Sequence, residues 1–244
     1  MKSTRLDPTD VLRIRRHQPT RLEGFIDASF AFVVTLLVIS IGHTPSTVPE
    51  MLHALRGIPA FALCFFLVVR LWKAHRDWSR YYDLEDRTSI SLSLALVFLV
   101  MVFVHPLRLL FALLFSWVSA GYLVDQPVGL QNVEELRWAF EVYGIGFAAI
   151  AGLFALLYRH ALRRSGDIGL DARELLATRM HMAIWSSMAG LAALSTLSAA
   201  VLPFHANQPF VFTLPGLLYS LTGILAPQIR RHCTQRLALL PNAT

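Results

Sequence analysis

A carboxylate, a hydroxyl and two ring nitrogens stand in or beside apolar runs of this chain, where each would act on charge. Asp27 opens the run ASFAFVVTLLVIS, a short way behind Arg21 and Phe25, and Thr35 lies in its middle. Trp72 and His75 follow the run FFLVVRL at a spacing of three, which puts them on one side of a helix. A carboxylate partly buried in lipid seeks a donor, and an indole or imidazole on a neighbouring helix supplies one. Two plainer readings stand beside this. Asp27 suits the first turn of a helix through the dipole alone, and the Thr35 hydroxyl can bond back to the carbonyl of Ala31. His75 brings a charge change near neutral pH, and with it conceivable pH sensitivity.

Positioning these groups requires membrane helices. Of 244 residues, 55% are hydrophobic and 16% charged, against about 25% charged in soluble domains. The length suits six crossings of about 20 residues each: 24–42, 48–72, 89–118, 138–158, 175–202 and 210–229. The third contains His105, Pro106 and Arg108, and a proline there kinks or ends a helix. It is read as one long span because FALLFSWV alone is too short to cross. The expected organisation is a basic tail over 1–20, a six-helix membrane domain over 21–229 and a short tail over 230–244. The first twenty residues lack the apolar core of a cleaved signal, so the first span is expected to serve as its own signal.

Lysine and arginine alternate between connections. The first tail, the second and fourth turns and the last tail hold nineteen of the 22, while HTPSTVPE, SAGYLVDQPVGLQNVEE and PFHANQ hold none. The positive-inside bias then predicts an even number of spans with both termini cytoplasmic. A net charge of +6 serves orientation and contact with anionic headgroups of membrane lipid, and no nucleic-acid partner is needed to explain it. Cys64 and Cys233 have no metal-ligand spacing and are expected at different depths. Neither a disulfide nor a metal site is read here. LAALSTLSAA in the fifth span is rich in small residues, as close helix packing requires.

RLEGFIDASFAFVVTLLV resembles the R-x-x-x-F-S-D signature and following helix of the transmembrane protein 175 family of potassium channels. Arg21, Phe25 and Asp27 match in register, Ile26 replaces the serine, and Trp72 and His75 match the family's W-x-x-H. The resemblance implies an all-α, polytopic membrane protein with six transmembrane helices per subunit. It also implies a homotetramer in which the first helix lines a central pore without a carbonyl filter loop. By register, the narrowest ring falls at Phe32, where the family carries leucine or isoleucine, and a threonine ring at Thr35. Ala28 lies toward the inside, and Ile39 and His43 toward the outer mouth. Arg21, Phe25, Asp27, Trp72 and His75 would fix the base of the pore helix rather than touch the ion.

A narrow apolar neck gates by dewetting, and a hydroxyl beside it supplies oxygen to a partly dehydrated cation. Together with this mechanism, the resemblance implies a leak-type cation channel preferring potassium over sodium. It would lie in a bacterial-type inner membrane, with no cofactor beyond the permeant ion. A secondary transporter is the competing class, opposed by the lack of visible inverted repeats and of paired broken helices. A non-conducting relative is the other alternative, motivated by Phe32 and Ile26. An enzyme has little support, because acidic residues lie almost wholly in turns.

Overall fold

The computed structural model describes residues 8–40, 46–125, 128–129, 132–201 and 217–240. Among them every regular element is helical: α1 Arg21–Ile39, α2 Val48–Leu55, α3 Ile58–Tyr82, α4 Arg87–Val118, α5 Val133–Arg163, α6 Ser165–Ile168, α7 Ala172–Val201 and α8 Thr222–Leu237. A short 3-10 turn, Pro8–Val11, precedes α1. Helix starts follow their caps. The side chains of Thr20, Asp86 and Asn132 accept the amides of Glu23, Ser89 and Glu135, so each satisfies an otherwise orphaned donor. Asp83 ends α3 in the left-handed conformation, which aspartate tolerates better than most residues.

Five described helices are long and apolar enough to cross a membrane: α1, α3, α4, α5 and α7. The third expected span is one uninterrupted helix that includes Pro106. The second is corrected. Instead of one helix over 48–72, the chain forms the separate α2, passes Arg56 and Gly57, and starts again as α3, which continues to Tyr82. The cause is local and tertiary together. Pro59 favours a helix start at this point, and Asp125 sits over Gly57 so closely that a Cβ there would lie 2.8 Å from its Cγ. The sixth expected span falls partly outside the described residues. Its described portion is helical from residue 217, turns once at Leu221, and continues as α8 past residue 229 to Leu237.

α1 packs on α3 and α4, α4 on α5, and α5 on α7, with α8 against α7. Ile26, Phe30, Val33 and Leu37 of α1 join Cys64, Val68, Leu96, Val100 and Phe154 in the main core. Small residues bring α5 and α7 together: a side chain at Gly144 would overlap Thr196, and Ala192, Ser195 and Ala199 are buried. This is the close packing expected of LAALSTLSAA.

The connections gather at two ends. At one, Arg15 and Arg16 reach the end of α3, the α3–α4 turn and the start of α7. Cys233 and Leu237 of α8 pack there on Met180 and Ile184, with Val11 beside them. At the other end, Arg108 pairs with Asp125, and the Arg56 guanidinium lies 4.8 Å from the Tyr122 ring centre. The arginine-rich connections thus share one end of the bundle, the arrangement that alternating crossings produce.

Candidate functional site

α1 has two unlike faces. The face toward α3 and α4 is locked: Ile26, Phe30, Val33 and Leu37 are at most 4% exposed, and Ser29 donates to the Phe25 carbonyl at 2.8 Å. The other face carries Ala28, Phe32, Thr35 and Ile39, all exposed in the single chain, with Phe32 at 52%. Thr35 donates back to the Ala31 carbonyl at 3.2 Å while remaining on the exposed face. The plainer reading of this hydroxyl therefore describes its bond, and its position leaves an oxygen lone pair toward the open side. His43 lies outside the described residues.

At the base of α1, the Trp72 indole N–H donates to Asp27 Oδ1 at 2.7 Å. Arg76 lies over the same indole, 5.1 Å from the ring centre, so a carboxylate at its edge and a guanidinium at its face hold Trp72. His75 takes a different partner. It is buried, points to α4 and shares a hydrogen bond of 2.9 Å with Ser93. Together Trp72 and His75 tie α3 to α1 on one side and to α4 on the other. Arg21 and Phe25 are exposed and join neither bond. Ile26, at the position of the signature serine, faces the core at 1% exposure, where an aliphatic side chain packs without a polar group to satisfy.

Several residues of this base carry no signal of their own in the sequence. Glu23 is buried beside Arg80, with 3.7 Å between carboxylate and guanidinium. Glu174, with its side chain 1% exposed, takes both terminal nitrogens of Arg15, at 2.9 and 2.8 Å. The available hints are Thr20-x-x-Glu23, a capping-box spacing, and the serines 89 and 93, spaced four apart along α4 and fully buried. Among the described residues, no cluster of histidine, cysteine and acidic side chains could hold a metal ion.

Among the described residues the chain is an all-helical bundle with five helices long and apolar enough to cross a membrane, and its first helix leaves an apolar, hydroxyl-bearing face open. Comparison with known proteins shows what the chain resembles. The family described as "Endosomal/lysosomal potassium channel TMEM175" matches residues 21–106. A protein of Marivirga tractuosa named a potassium channel is 29% identical over 212 residues, covering 85% of this chain and 84% of that one. A second protein so named, from Streptomyces collinus, is 28% identical over 174 residues, covering 68% and 76%. The crystal structure of a variant of the potassium channel MtTMEM175, in complex with a nanobody fusion protein, superposes with a TM-score of 0.80 at 26% identity. It spans 92% of this chain and 97% of that one. Over residues 21–106 the chain is thus similar to the transmembrane protein 175 family of ion channels, and over most of its length to proteins named potassium channels.

Proposed function

We propose that this protein is a passive leak channel that prefers potassium over sodium, formed by four copies with the open face of α1 around a central pore. The observation that carries the reading is the division of α1: one face locked into the core, the other bearing Ala28, Phe32, Thr35 and Ile39 with no covering from the described part of the chain. In this reading Phe32 forms an apolar neck that dewets when narrow, and Thr35, one turn further along, offers oxygen to a cation that has shed part of its water. Asp27, Trp72 and His75 hold the helix base, and Arg21 and Phe25 flank the inner opening. Both termini lie in the cytoplasm of a bacterial-type cell, and membrane lipid surrounds the assembly.

Purified protein in liposomes, driven by a potassium gradient with sodium as comparison and Phe32→Ala in parallel, tests this. Potassium-preferring flux that grows in Phe32→Ala is the expected result. Equal flux of the two ions would remove the selectivity. Absence of flux from folded tetramers of both proteins would favour a non-conducting relative, the reading that the aromatic ring at the neck motivates.

A further inference from the structure

Ahead of α1 the chain does not hang free. Arg15 and Arg16 both donate their backbone amides to the carbonyl of Arg80, at 2.9 and 3.1 Å, which pins the segment to the last turn of α3. From this point the two side chains diverge. Arg15 makes its forked contact with the buried Glu174 in the first turn of α7, and also reaches the carbonyls of Tyr81 and Ile168 at 3.1 and 3.4 Å. Glu174 is saturated in return, accepting the amides of Arg13 and Asp171 at 3.1 Å each. Arg16 is itself buried, pairs with Asp83 and Glu85 in the α3–α4 turn, and donates to the Thr20 hydroxyl at 3.3 Å. That hydroxyl is the cap of α1, accepting the Glu23 amide at 3.2 Å.

Through its own side chains α1 packs on α3 and α4. A link from its base to α7 runs through this segment instead. We propose that residues 13–20 are a strap that positions the proposed pore helix, with Arg15 and Glu174 as its anchor on α7 and Arg16 as its connection to the α1 cap. Bidentate charge-assisted pairs with a desolvated partner are among the strongest polar contacts, and Thr20 follows Arg16 by only four residues. A shift of the α7 base is therefore delivered to the first turn of α1 with little slack. Arg15, Arg16 and Glu174 are positioning residues: none lies on the open face of α1.

The consequence for conduction rests on the channel reading, whereas the strap itself can be read without flux. Hydrogen exchange of the full-length protein in detergent or nanodiscs is compared for the parent, Arg15→Ala, Arg15→Lys, which keeps the charge but loses the fork, and Arg164→Ala. The last breaks only a local exposed pair with Asp167. Amides of residues 23–27 should exchange about tenfold faster in Arg15→Ala, the scale of one lost charge-assisted contact, and by a smaller factor in Arg15→Lys. Amides in the middle of α4 and α5 should be unchanged, and Arg164→Ala should match the parent throughout. In liposomes, flux per tetramer should rise in Arg15→Ala, because an α1 released at its base samples wider necks. Unchanged exchange at residues 23–27 in folded Arg15→Ala overturns the strap. Should that variant not fold, unchanged exchange in Arg15→Lys does the same. Faster exchange with unaltered flux would leave the strap as scaffolding and remove its positioning role. A parent without flux sinks the channel reading while the exchange result still stands.

Discussion

Trp72 spends its single indole proton on Asp27, across 2.7 Å, and so joins α3 to the base of α1. Replacing Trp72 by phenylalanine removes that donor and weakens the Arg76 contact, leaving a partly buried acceptor short of a partner. The expected loss is about 1–3 kcal/mol of stability, read as a lower melting temperature. Asp27→Asn keeps an acceptor oxygen at the same place and should lose less. Equal melting of Trp72→Phe and the parent would show that the bond contributes nothing.

Thr35→Val keeps the shape of the side chain and deletes the hydroxyl. Because Thr35 is exposed and bonds only locally to Ala31, stability should change by no more than about 0.5 kcal/mol. Potassium flux should fall by about fivefold, the effect of losing roughly 1 kcal/mol of oxygen contact. Full flux in Thr35→Val would take the hydroxyl out of the ion's path.

Gly57→Ala should be costly for so small a change. The added methyl would meet Asp125, whose carboxylate is committed to Arg108, and neither neighbour can retreat without unpairing a partly buried charge. A loss of about 1–3 kcal/mol is expected. Combining it with Asp125→Ala should cost less than the sum of the two single changes, since both act on one contact. Strict additivity in the melting data would refute the clash.

Asp86 supplies a pH dependence outside the spans. Burial pushes its carboxyl up, but bonds from the Ser89 hydroxyl and amide, together with His160, bring it below the usual carboxylate range. A carboxylate held lower in the folded chain adds stability above its unfolded value, near ~3.9, and gives it up as pH falls through the folded one. The melting advantage of the parent over Asp86→Asn should accordingly shrink as pH falls below about 4. An advantage that keeps growing below about pH 4 would contradict this.

Much of this architecture is legible in the sequence because hydropathy and charge act locally. The apolar runs mark α1, α4, α5 and α7, and arginine placement foretells which connections share an end. Asp27 is expected to find an indole or imidazole on the next span, and it does so in Trp72. The break at Gly57 is legible only in part: Arg56, Gly57 and Pro59 mark it locally, while its tertiary cause, Asp125, lies far along the chain beyond α4. The role of Arg15 is equally hidden. Its charge reads as topology, and only the fold brings it to a glutamate 159 residues later. The open face of α1 looks like any other face in a hydropathy profile, and Phe32 and Thr35 gain meaning there only from their register in a known signature.

That separation of 159 residues also sets an order of events in biogenesis. α1 enters the membrane first, yet Glu174, which anchors the segment ahead of it, is translated long after the α3 residues and the α3–α4 turn that hold its base. At about 5–20 residues per second, the helix waits on the order of ten to thirty seconds before its foot can be fastened. A newly made chain therefore passes through a period in which its first helix is inserted but not yet indexed to the rest.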